Sequence, residues 1–187
     1  MPVVRINDAT FADLSTLKTW FGTKSPSETI DRIVQEAMEQ LGIERDDEPE
    51  GATTGRTDGA LLFDTAPPLT FTKPTKATIN GKPIENPKWA SILNMMLAQV
   101  KDKGLEGQKL VQELAVPTKA ESYEDDGYRY FPELGISVQG QSATDAWKEV
   151  DRLAKKWRIP VSVEFVWRQN SKAHYPGKAG VLRSGNV

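Results

Sequence analysis

Six carboxylates are the first side chains to weigh for chemistry. Glu121, Glu124, Asp125 and Asp126 fall in one short run, while Glu133 and Glu164 lie beside or within strand-like segments. Carboxylates so grouped are what a metal-dependent nuclease uses to hold Mg²⁺ against a phosphate. A restriction-type nuclease also needs a strand bearing Glu-x-Lys, and "VEFVWR" has Val166 where that lysine belongs. The chain has no cysteine and one histidine, His174, which removes thiolate nucleophiles, disulfides and multi-histidine metal centres. It carries no nucleophile elbow, phosphate loop, zinc pattern or dinucleotide fingerprint. The expectation is a non-enzyme with no catalytic residue, metal or cofactor, and a metal-dependent nuclease remains a third reading.

Cations are the second set. Net charge is −2 over 187 residues, yet its distribution is uneven. Residues 1–45 hold five basic against seven acidic side chains, residues 46–70 one against six, and residues 71–187 eighteen against thirteen. Lys148, Arg152, Lys155, Lys156 and Arg158 gather on the outer side of a helical pattern, and residues 168–187 contain Lys172, Lys178 and Arg183 with no acidic residue. A basic helix face is ordinarily solvated surface. Followed by an acid-free tail, it also suits a phosphate backbone, with affinity that falls steeply with salt. Tyr175 and His174 could stack on a base. "GISVQGQSATDAW" places two glycines before a helix start, but its spacing matches no phosphate loop, and the glycines serve equally as turn residues.

The elements that must position these groups follow from periodicity. "PVVRIND" alternates as a short strand; "DATFADLSTLKTWFG" reads as a helix with Asp8 as cap and Gly22 as stop. In "GTKSPSETIDRIVQEAMEQLG", Ser25, Pro26 and Glu28 mark a helix start, and Ile30, Ile33, Val34, Ala37, Met38 and Leu41 share one side. About 42 residues cannot bury such faces alone, so a second copy is expected. Residues 45–69 read as a flexible acidic linker with an apolar island, Leu61 to Phe63. Asn80-Gly81 marks a hairpin, Asn86-Pro87 a helix start, "YRYFPELGISVQGQ" a second pair of strands, residues 142–157 a helix opened by Ser142, and "PVSVEFVWR" the last strand. An α+β domain with a small antiparallel sheet, residues 70–187, fits this order.

The first unit, residues 1–44, resembles the ribbon–helix–helix family, through the alternating "VVRIN", the Ile6, Phe11, Leu14 spacing and the loop-and-cap run "GTKSPSETI". The resemblance implies that two chains pair their strands and interlock four helices, with Val4, Ile6, Ile30, Ile33, Val34 and Ala37 at the dimer interface. It implies groove-reading positions at Val3, Arg5 and Asn7, and a phosphate clamp at Ser25 to Ser27. The layout of oligomerising unit, linker and separate binding domain is similar to that of bacterial replication-sequestration proteins, which implies a bacterial or phage regulator. The expected partners are a second copy and nucleic acid. The alternative is a protein-interaction module, an antitoxin or a small accessory subunit of a defence or restriction assembly. No apolar run is long enough for a membrane span and no signal-peptide layout is seen, so a cytoplasmic location is expected.

Overall fold

The structure, a computed structural model, describes residues 5–41 and 59–185. The chain divides into two compact units, residues 1–38 and 39–187. In the first, α1 (Asp8–Phe21) and α2 (Pro26–Leu41) are joined by a tight loop. Asn7, not Asp8, caps α1, its Oδ1 accepting the Thr10 N–H at 2.7 Å; Gly22, at φ 64°, ends it. Ser25 Oγ accepts the Glu28 N–H at 3.2 Å and Glu28 reciprocates to the Lys24 N–H at 2.7 Å, so the helix start predicted for α2 forms. Leu14 and Thr29 are the buried side chains here. Arg32 ties the helices together, donating to the Phe21 carbonyl at 2.7 Å with its guanidinium 5.1 Å from the Phe21 ring.

The second unit is α+β. Its strands are β1 (Leu61–Phe63), β2 (Thr72–Ile79), β3 (Lys82–Ile84), β4 (Thr118–Lys119), β5 (Tyr128–Phe131), β6 (Ile136–Gln139), β7 (Val161–Trp167) and β8 (Ala179–Ser184). Its helices are α3 (Trp89–Lys101), α4 (Gly107–Glu113) and α5 (Ala143–Trp157). A five-stranded sheet runs β1-β8-β7-β2-β3, antiparallel except for the parallel pair β1/β8, and a three-stranded antiparallel sheet runs β4-β6-β5. The smaller sheet is the small antiparallel sheet expected of this α+β domain, and the larger one is mixed.

Alternation places Val161, Val163, Phe165 and Trp167 on one buried face of β7, in register with Ala77 and Ile79 of β2 and Leu182 of β8. Those residues share a core with Trp89, Ile92, Leu93, Met96 and Leu97 of α3, and with Trp147, Val150 and Leu153 of α5. The deepest tryptophans keep their N–H groups satisfied, as burial demands: Trp89 donates to Thr72 Oγ1 at 3.1 Å and Trp167 to the Pro68 carbonyl at 3.2 Å. At the β2–β3 turn Asn80 and Gly81 both have positive φ, 51° and 75°, as the sequence predicts. The start of α3 differs from expectation. Lys88 is its cap residue, with Ser91 Oγ accepting the Lys88 N–H, and Asn86 and Pro87 precede the helix.

Three strands were not foreseen. Leu61–Phe63, read as part of the linker, pairs with β8, and Leu69 is fully buried, so these residues belong to the folded unit. Residues 179–184, read as a basic tail, form β8 inside the sheet, so β7 is not the last strand. The two-residue β4 joins the small sheet.

Candidate functional site

In the N-terminal unit the striped face of α2 stays open. Ile30, Val34 and Leu41 are 38%, 42% and 46% exposed, Ala37 is exposed beside them, and Ile33 is half-buried. The spacing of 30, 34, 37 and 41 is that of a helix seam which accepts a second helix. Ile6, Phe11 and Leu17 are also open, and Trp20 is 87% exposed. Val4, with Val3, lies outside the described residues. Arg5 to Asn7 belong to no strand, as a lone strand has no mate within one chain. Asn7 spends its carbonyl oxygen on capping α1, and Ser25 its hydroxyl on α2, while Arg5 and Ser27 are exposed.

The basic face of α5 is less basic than its sequence. Arg152 grips Glu149 with two nitrogens, Nε at 2.8 Å and Nη2 at 2.7 Å, and donates to the Glu113 carbonyl at 2.7 Å. The Glu149 side chain is almost wholly buried and also accepts the Ala115 N–H at 3.0 Å. Lys156 lies 2.8 Å from Glu113 Oε1, which the Trp157 indole N–H also reaches, and Lys155 lies 2.7 Å from Asp151. Burial pushes the Glu113 carboxyl up, but hydrogen bonds from Lys156 and Trp157 and the charges of Lys156 and Arg152 outweigh it and hold the group below its ordinary range. The Arg152 guanidinium is held above its ordinary value, chiefly by the hydrogen bond to Glu149. Of the five cations expected to meet phosphate here, three are thus committed to carboxylates. Lys148 and Arg158 are exposed and hold no ion pair among the described residues.

The stretch after β7 is a structured β7–β8 connection followed by a strand. Lys172, Lys178 and Arg183 are all exposed. Tyr175 packs on Phe63 with ring centroids 6.1 Å apart and on Trp167 at 5.1 Å, so much of its ring is already covered, and His174 lies against Tyr175. Folding brings Lys148, Lys155 and Arg183 to one cleft of about 270 Å³, together with Asp64, Asp151 and the rim of Trp147. Sequence reading missed this meeting because it took Asp64 for linker and Arg183 for tail.

Among the candidate nuclease carboxylates, Asp126 accepts the Tyr123 hydroxyl at 2.5 Å, which pushes that phenol up to about 12. Lys119 lies 3.0 Å above the Tyr123 ring. Glu164 faces Lys76 at 3.6 Å on the open side of the larger sheet. Among the described residues no group of three or more His, Cys, Asp or Glu could hold a metal ion, and no helix is long and apolar enough to cross a membrane. No family model, curated protein or solved structure matches the chain.

Proposed function

We propose that this protein is a self-associating, DNA-binding regulator, in which the N-terminal helices pair chains and the C-terminal domain contacts the nucleic-acid backbone. The observation that carries it is the open stripe Ile30, Val34, Ala37 and Leu41 on a helix whose start is capped by Ser25 and Glu28. So many apolar side chains facing water mark an association surface. A ribbon–helix–helix-like dimer is the form we infer, with Arg5 at the groove-facing edge. Exposed Lys148, Arg158, Lys178 and Arg183 supply charge for phosphate in the second unit. Each such contact is weak, and pairing two domains raises their joint affinity through effective concentration.

The test is mass in solution followed by a duplex titration at two salt concentrations. Wild type is expected to be a dimer or larger and Val34→Asp a monomer; because Val34 is exposed in the single chain, the variant keeps its own fold. Four cations on phosphate predict a log–log salt slope of about −3 to −4 per engaged domain. A monomeric wild type, or no duplex binding at low salt, overturns the reading.

The pairing of Arg152, Lys155 and Lys156 with carboxylates, and the exposed Leu61 and Leu62 on the edge strand β1, favour a second reading as a protein-interaction module. A dimer that ignores DNA at every salt concentration selects it.

A further inference from the structure

The cleft beside α5 differs in kind from the rest of the basic surface. Its volume, about 270 Å³, is close to the lower end for small-molecule sites. Its lining mixes Lys148, Lys155 and Arg183 with Asp64 and Asp151 over an apolar floor of Trp147 and Leu182, both nearly fully buried. Asp151 is already engaged, accepting Lys155 Nζ at 2.7 Å and the Ser184 hydroxyl at 2.6 Å. Lys148, Arg183 and Asp64 are exposed and hold no ion pair among the described residues, which leaves two cations and one carboxylate for a visitor.

Topology points to the same place. β1 and β8 are parallel, with Phe63 opposite Leu182, so their carboxyl ends lie together and lead into Asp64 and Arg183 at the cleft. The first turn of the 15-residue α5 adds Thr144 to the lining and the positive end of its dipole. A long polyanion would set phosphates against Asp64 and Asp151 as well as against the cations. A small molecule with an anionic end and a hydroxyl-bearing end meets both signs.

We propose that this cleft binds a small phosphorylated sugar, of ribose 5-phosphate or nucleoside monophosphate size, with its phosphate on Lys148 and Arg183 and its hydroxyls donating to Asp64. This site shares Lys148 and Arg183 with the DNA reading but does not require it, and the titration separates the two. The full chain is titrated with ribose 5-phosphate, a nucleoside monophosphate, ribose, inorganic phosphate and a DNA duplex, by calorimetry and by the fluorescence of Trp147. Ribose 5-phosphate or the monophosphate is expected to saturate below about 1 mM, and ribose not at all. Lys148→Gln and Arg183→Gln are each expected to weaken binding about tenfold, while Lys76→Gln, on the open sheet face, leaves it unchanged. Asp64→Asn is expected to weaken the sugar phosphate about tenfold and to leave inorganic phosphate unaffected. All four positions are exposed, and equal melting temperatures establish that the variants fold. The proposal is overturned if neither sugar phosphate saturates at about 10 mM, if Lys148→Gln and Arg183→Gln bind as wild type, or if Asp64→Asn fails to separate sugar phosphate from inorganic phosphate. Binding of the duplex alone overturns it while leaving the DNA reading intact.

Discussion

At the scale of single residues, the clearest organisation is the carboxylate network under α5. Glu149 satisfies both the Arg152 fork and the Ala115 amide from an almost fully buried side chain. Removing it leaves the Ala115 N–H without its acceptor and Arg152 with Glu113 alone, so Glu149→Ala is expected to cost about 2 kcal/mol in urea unfolding. Glu113 sets an acid limit. Its folded carboxyl sits below the ordinary range, so its contribution is complete above the unfolded value and is lost as pH falls towards the folded one. Stability should therefore decline below about pH 5, and less steeply in Glu113→Gln. Tyr123 provides an optical check, since its hydroxyl donates to Asp126 and titrates at about 12. In Asp126→Asn an ultraviolet titration is expected to move it back towards the ordinary value of about 10. Part of this was legible beforehand. Glu149 and Arg152 stand at helical spacing in the sequence, but Glu113 lies 39 residues from Arg152, and only the packing of α4 against α5 brings the two together.

Among elements, those with strong local signals matched expectation: the Asn80-Gly81 hairpin, the Ser142-capped α5, and the apolar stripe of α3. Each is specified by turn chemistry, a cap or a 3.6-residue period. β1 and β8 were illegible for a physical reason. β1 is only three residues long, and Gly180 leaves a gap in the apolar pattern of β8 that Phe165 fills from the neighbouring strand. A Cβ at residue 180 would lie 2.6 Å from Phe165 Cζ. Gly180→Ala is therefore expected to destabilise the domain by about 1–3 kcal/mol, read from the urea midpoint. The end of α5 makes the opposite prediction. Arg158 takes the left-handed conformation, φ 52°, that glycine adopts without steric cost. Arg158→Gly is expected to stabilise by about 1 kcal/mol. If the same change weakens duplex binding, the arginine is kept for its charge and not for the fold.

For the whole molecule, the α+β class followed from period, and the charge map did not survive folding intact. Summing cations along a sequence ignores which carboxylates reach them, and α5 shows how far the sum can mislead. Folding also alters how a truncation must be read. Deleting residues 169–187 would not trim a basic tail; it would extract β8, with buried Leu182 and Ser184, from between β1 and β7. Such a deletion is expected to give a protease-sensitive C-terminal unit. Charge removal by point substitution at Lys178 and Arg183 should lower duplex affinity and leave proteolysis unchanged.

The neighbouring positions of β1 and β8 bear on biosynthesis. The strand that emerges first from the ribosome waits at the sheet's edge for the one that emerges last, and until then β7 has one flank without a mate. Translation of this domain thus ends in a single closing step, because domains fold as units once their segments are available. A ribosome stalled between residues 167 and 184 would hold a nascent chain in which β7, with Phe165 and Trp167, still lacks its β8 neighbour, a substrate for chaperones.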